Sequence, residues 1–144
     1  MTQNNQASII TRHVKPQDTD YIYSSWLNHN YYSNPYFTHM PQDLYFKEYS
    51  KEINKILKNP LAEIIIAVLE EDLNMIIGYA VTTGTDTLNW VYVKKDYRNK
   101  GVAKFLLANK HITKATTLTK TGIKIINTHK HIQFNPLGDT NANE

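Results

Sequence analysis

Between Ala62 and Lys95 the chain runs through three apolar, β-branched segments with little between them: "AEIIIAVLEED", "MIIGYAVTTG" and "TLNWVYVKK". Links this short leave no room for a crossover helix, so three successive strands must turn back on one another and form an antiparallel meander. "DLN", Asp72 to Asn74, is the expected hairpin turn between the first two. Everything else in the chain has to be arranged around this sheet.

The flanking segments alternate in character. "ASIITRHV" predicts a first strand over residues 8–14. A helix follows in "KPQDTDYIYSSWLNHNYY", with Pro16 and Asp18 as start signals and Ile22, Trp26 and His29 on one face. "SNPYFTHMPQD" carries two prolines and reads as loop. In "PQDLYFKEYSKEINKILKN" the residues Tyr45, Tyr49, Ile53, Ile56 and Leu57 share a helical face, and Glu48 and Glu52 form a like-charge pair one turn apart. Asn59-Pro60 ends that helix. After the meander, "GVAKFLLANKHI" predicts a helix with Val102, Phe105, Leu106 and Asn109 facing inward. "KATTLTK" reads as a short strand, "TGIKIINTHKHI" as a short helix and "QFNPL" as a last extended piece. The expected architecture is α/β or α+β, a mostly antiparallel sheet with helices on both faces. It occupies a single domain over residues 1–137, followed by a disordered tail over 138–144.

Charge is distributed unevenly. Residues 1–90 hold six lysines and arginines against ten acids, a net −4, whereas residues 91–138 hold ten against one, a net +9. Such a basic segment suits a polyanionic ligand or surface. With no cysteine in the chain, disulfides, zinc-thiolate sites and a cysteine nucleophile are excluded. The N-terminus has no signal-peptide pattern, and "IIIAVL" is far too short to cross a bilayer, so a cytoplasmic protein without membrane contact is expected.

The basic segment begins at "YVKKDYRNKGVAKFLL", Tyr92 to Leu107, a strand that turns into a helix through Arg98-x-x-Gly101-x-Ala103. At such a junction the first helical amides lack internal partners and the helix dipole favours an anion. Gly101 lets a ligand approach the backbone, and Arg98, Lys100 and Lys104 add positive charge round the rim. Two readings fit these residues alone: a pyrophosphate cradle, or a strand-helix corner with solvated lysines.

The stretch "VYVKKDYRNKGVAKFLL" closely resembles the acetyl-coenzyme A motif of the GNAT superfamily of N-acyltransferases, roughly V-x-V-x-P-x-[YF]-R-G-[KR]-G-[IV]-[GA]-x-x-L-L. Val91, Val93, Tyr97, Arg98, Lys100, Gly101, Val102, Ala103, Leu106 and Leu107 match it. Lys95 replaces the usual proline. Asn99 replaces the usual glycine, a mild change because Asn tolerates left-handed backbone. The order of elements resembles that fold too. More loosely, "SSWL", "IIGYAV", "TTLTKTG" and "FNP" look like landmarks of short GNAT-like proteins of tailed bacteriophages.

The resemblance implies acetyl-CoA as co-substrate, lying where the fourth and fifth strands splay apart. The backbone of Val91, Tyr92 and Val93 would hold the pantetheine, and the amides of Asn99, Lys100, Gly101, Val102, Ala103 and Lys104 the pyrophosphate. It implies acetyl transfer to a primary amine, small or on a protein, by direct attack on the thioester. The family's acid is a tyrosine in the last helix, and this chain has no tyrosine after Tyr97. In "HKHIQF" the position falls on His129. In a shifted register it falls on His131 or on neither, and a surface histidine fits the same residues. No metal site is implied. Asn28 to Met40, with Tyr31, Tyr32, Tyr36, Phe37, His29 and His39, falls where the family binds its acceptor. The same rings also fit core and surface positions. Asp86 reads either as a base or as a turn residue. The C-terminal part is short for the family, which leaves a sheet edge open to homodimerisation.

Two other functions stay in view. One is a GNAT-shaped protein, weakly active or inactive, with a structural or host-interaction role. The other is nucleic-acid binding by the basic segment, disfavoured by the lack of interleaved aromatics.

Overall fold

In the computed structural model the described residues are 8–117, 119, 129 and 131–136. Most of the helix expected in "TGIKIINTHKHI" and all of the expected tail at 138–144 lie outside them.

Six strands form one sheet in sequence order: β1 (Ile9–His13), β2 (Ala62–Leu69), β3 (Asp72–Thr83), β4 (Thr87–Val93), β5 (Lys114–Ala115) and β6 (Gln133–Phe134). The first three junctions are antiparallel and the last two parallel. The meander expected from sequence is therefore present. Its first turn is tighter than expected, because Leu69 pairs with Asp72, so Glu70 and Glu71 make the turn and Asp72–Asn74 belongs to β3. The Asp72 carboxylate accepts the amide of Asn74 at 3.1 Å, which ties down the strand's start.

Helices α1 (Thr19–Ser33) and α3 (Gln42–Leu57) cover one face, joined through a four-residue helix, α2 (Pro35–Thr38), in the stretch expected to be loop. Asn34 makes this turn helical: its side chain accepts the amide of Tyr36 at 2.9 Å, and Pro35 supplies the fixed φ of a first helical position. On this face Ile22, Trp26, Ile53, Ile66, Val68, Tyr79, Val81 and Trp90 form the main core. The indoles of Trp26 and Trp90 stack at 6.0 Å. The buried Tyr79 hydroxyl donates to the Ile22 carbonyl (3.0 Å), accepts from Trp90 Nε1 (3.1 Å) and meets Ser25 Oγ (2.7 Å), so burying a polar group here leaves it satisfied. At the edge of this core Arg12 clamps the buried Asp18 with two bonds, at 2.8 and 3.0 Å. That pair holds the Asp18 carboxyl below the usual range.

Among the described residues the other face carries a single helix, α4 (Val102–Leu106), which packs Val102 and Leu106 on Ala67, Ile77 and Ala80. This helix is shorter than "GVAKFLLANKHI" suggested. Of its expected inner residues, Phe105 is 44% exposed and Asn109 lies past its end in solvent. Five residues span barely more than one turn, so a single pair of apolar side chains is all the face can bury.

Two features shape β4. Val81 pairs with Trp90 and Thr82 with Leu88, so Asn89 is the extra residue of a β-bulge. Three bonds hold it. The Asn89 amide nitrogen donates to Thr83 Oγ1 (3.1 Å), its side-chain oxygen accepts from Thr116 Oγ1 (3.0 Å), and its carbonyl accepts from Thr117 Oγ1 (2.8 Å). On its other side, Gly78 of β3 sits so close that a Cβ there would lie 2.6 Å from the Tyr92 carbonyl oxygen.

Candidate functional site

Parallel pairing between β4 and β5 is confined to Thr87 with Lys114 and Leu88 with Ala115, extended by the amide of Thr116 on the Leu88 carbonyl at 3.0 Å. Beyond the Asn89 bulge, the edge of Trp90–Val93 that faces away from β3 has no backbone partner among the described residues. Unpaired backbone donors and acceptors along a strand edge can take up an extended ligand as if it were another strand. Val91, Tyr92 and Val93 lie on this edge.

The edge leads into the turn. A short 3₁₀ segment (Lys95–Tyr97) follows Val93, and then Asn99 and Gly101 both take left-handed backbone, at φ 64° and 81°. Asn99 thus occupies the conformation that its side chain tolerates and that most residues avoid. The consequence is a run of free donors. Among the described residues none accepts a hydrogen bond from the amides of Asn99, Lys100, Gly101, Val102, Ala103 or Lys104; the next amide, Phe105, closes the first helical turn on the Gly101 carbonyl at 2.9 Å. A Cβ at Gly101 would meet nothing within 4 Å, so the turn's mouth is open there. Successive amides in such a turn form a concavity that suits an anion.

The basic side chains divide into two roles. Lys100 and Lys104 are exposed, and Lys100 Nζ lies 5.9 Å from the centre of the Tyr97 ring. Arg98 is not a mobile rim charge as the sequence suggested. Its Nε donates to the Val93 carbonyl at 2.7 Å, and its guanidinium lies over the Tyr92 ring at 5.7 Å. It staples the turn to the end of β4. The Tyr92 ring also meets the His29 ring, with centres 4.5 Å apart. Burial, and then the charge of Arg98, hold the His29 imidazole below its ordinary range and so favour its neutral form.

His129 lies elsewhere. Its ring packs against His131, which stacks on His111, both at 6.0 Å. His111 follows α4 and precedes β5, whose Lys114 pairs with Thr87. The three histidines therefore gather at the Thr87 end of β4, whereas the turn opens at the Val93 end, about 20 Å away for six residues of strand. The structure does not bring His129 to the turn. Asp86 is likewise a junction residue: its carbonyl accepts the amides of Thr113 and Lys114, and its carboxylate accepts the hydroxyls of Thr87 and Thr113.

The stretch 28–40 contributes to a site, but only in part. A cavity of about 830 Å³ opens between α2, α3 and the ends of β5 and β6. Tyr36 and Phe37 line it from that stretch, Tyr45 and Tyr49 from α3, and Phe134 from β6. Tyr31 is buried instead, with its hydroxyl on the Met40 carbonyl at 2.9 Å. Glu48 and Glu52 also line the cavity; the sequence showed them only as a like-charge pair on a solvated helix face.

This combination, a bulged fourth strand with an open edge running into a turn of unbonded amides, suits an extended anionic ligand. The acetyltransferase (GNAT) domain family matches residues 62–136, just over half of the chain, and the chain belongs to that family. No curated protein matches the chain by sequence. Among solved structures, a protein from Clostridium acetobutylicum described as a predicted acetyltransferase and solved with acetyl-CoA superposes with a TM-score of 0.55 at 19% identity, over 85% of this chain and 88% of that one. A GCN5-related N-acetyltransferase from Rhodopseudomonas palustris superposes at 0.50 with 17% identity, over 74% of this chain and 66% of that one. YjaB of Escherichia coli superposes at 0.49 with 19% identity over 70% of this chain, which spans 63% of the YjaB chain. These likenesses are of fold.

Proposed function

We propose that this chain transfers the acetyl group of acetyl-CoA to a primary amine by direct attack. The observation that carries the reading is the run of unbonded amides from Asn99 to Lys104 at the end of the strand edge left unpaired beyond Asn89. In this reading the pyrophosphate sits on those amides, with Lys100 and Lys104 neutralising it. The pantetheine pairs with Val91–Val93 as an added strand. Arg98 keeps the two parts in register through Val93.

Held there, the thioester meets an amine already positioned, and positioning turns a two-body step into an effectively unimolecular one. The amine nitrogen forms a bond to the thioester carbon. The carbon-sulfur bond breaks and sulfur leaves with its electron pair. The proton lost by nitrogen ends on the thiol.

Release of free CoA thiol from acetyl-CoA, followed over a panel of primary amines, tests the reading. Thiol release that depends on an amine and is lost in Gly101→Val supports it. Thiol release equal with and without every amine, in a folded protein, contradicts it.

A further inference from the structure

The cavity between α2, α3 and β6 has a composition more specific than its size. Its walls are largely aromatic and aliphatic: Tyr36, Phe37, Tyr45, Tyr49, Ile56 and Phe134. Among the described residues that line it, Glu48 and Glu52 are the charged ones and none is a lysine, arginine or histidine. They stand one helical turn apart on α3 and both are exposed, as are Tyr36 and Phe134, so the carboxylates and these two rings stand at the mouth while the half-buried Phe37 and Tyr49 and the buried Tyr45 lie deeper. Glu48 shares its charge with Lys51 at 3.2 Å, while among the described residues Glu52 has no basic partner.

The cavity also joins the strand edge described above. Thr116 and Thr117 form part of its wall, and their hydroxyls bond the side chain and carbonyl of Asn89 at the bulge where that edge begins. Tyr49, on the opposite wall, faces Thr117.

We infer that this cavity is the acceptor site and selects a small amine carried on an apolar, ring-bearing body, drawn in as its ammonium form by Glu48 and Glu52 and giving up one proton to solvent before its nitrogen attacks. This rests on the acetyl-transfer reading for the reaction, but the binding preference stands on the cavity alone. An ammonium group is attracted both by the two carboxylates and by the faces of the tyrosine rings. An apolar body gains by leaving water for the aromatic wall, and about 830 Å³ lies within the range that holds a drug-sized molecule. A carboxylate or phosphate ester would meet two negative charges, with no cation among the described residues of the wall. A polyamine would satisfy the carboxylates and leave the rings uncovered.

Calorimetry on the whole chain, with and without saturating CoA, reads this preference using 2-phenylethylamine, spermidine, phenylacetate and a short lysine peptide as probes. The expected order places 2-phenylethylamine at least tenfold tighter than spermidine or the peptide, with no detectable phenylacetate binding. In the double variant Glu48→Gln, Glu52→Gln that affinity falls about tenfold, and acetyl-CoA binding is unchanged. Tyr49→Leu, which keeps the wall apolar, is the second variant and lowers 2-phenylethylamine binding without altering the acid pair. The inference is overturned if spermidine, the peptide or phenylacetate binds best, if no probe binds, or if the glutamine pair leaves 2-phenylethylamine binding unaltered. The acetyl-transfer reading fails separately, by loss of thiol release while amine binding persists.

Discussion

The turn after β4 and the cavity beneath α3 offer opposite means of recognition. The turn does so with backbone: six consecutive amides without partners among the described residues, two left-handed residues and exposed lysines. The cavity does so with side chains, rings for bulk and two carboxylates for charge. One surface suits an anion and the other a cation, and the bulge at Asn89 is where they meet. A protein that joins an anionic acyl carrier to a cationic amine gains from this separation, because each ligand is disfavoured at the other's site.

The comparison can be broken most strongly at Gly101. Gly101→Val puts a β-branched residue at φ 81° and a side chain into the open mouth. We expect acetyl-CoA affinity to fall by about 30- to 100-fold, read by calorimetry on protein whose melting is checked in parallel. Amine binding in the cavity should survive. If both sites are lost together in a folded variant, they are not independent.

Gly78→Ala acts on the strand that joins the two. Its Cβ would lie 2.6 Å from the Tyr92 carbonyl oxygen and 3.2 Å from Val93 Cα, both backbone, so β4 itself must move. Overpacking of this kind costs about 2–3 kcal/mol. Chemical denaturation should show that loss, together with weaker acetyl-CoA binding.

Asp18→Asn tests whether the core under α1 is independent of both sites. The substitution leaves Arg12 without its carboxylate and should cost about 2 kcal/mol by denaturation, with ligand affinities little changed in the folded fraction. The wild-type pH dependence follows from the same pair. The Asp18 carboxyl is held low in the folded state, so its stabilisation is present above the ordinary carboxyl range and is lost as pH falls through the folded value.

A smaller change sharpens the turn's side of the comparison. His29 is also depressed in the folded state, below its ordinary 6.5. Between that value and the folded one the unfolded chain binds more protons, so stability falls as pH drops below about 6.5. Melting temperatures from pH 7.5 to 5 should show this slope in the wild type, and His29→Gln should flatten it. An unchanged slope would mean that the imidazole beside Tyr92 is not shielded.

The two sites also differ in how far the sequence revealed them. The turn is local: Arg98, Asn99 and Gly101 lie within four residues, and left-handed backbone, free amides and strand-to-helix passage are all decided by neighbours in the chain. The order of β2, β3 and β4 was legible for the same reason, since short links force antiparallel pairing, whereas the pairing of β1 with β2 spans three helices and had no such signal. The cavity draws on α2, α3, β5 and β6, brought together only by folding, so Glu48 and Glu52 looked like an ordinary solvated face. Arg98 was misread as a rim charge because a bond to the Val93 carbonyl depends on the shape of the turn and not on residue type. The two-residue β2–β3 turn was missed because Asp72 and Asn74 are turn formers, yet here their side-chain bond starts a strand. Gly78 gave no signal beyond being a glycine in a strand, and its reason is the closeness of β4.

The central claim is that the amides of Asn99–Lys104 hold the phosphates of acetyl-CoA. Titration of acetyl-CoA into the wild-type chain and into Gly101→Val by calorimetry tests it most directly. The account predicts saturable one-to-one binding at micromolar concentrations that is lost or greatly weakened in the variant. No binding at millimolar acetyl-CoA, or binding that Gly101→Val leaves intact, would contradict it.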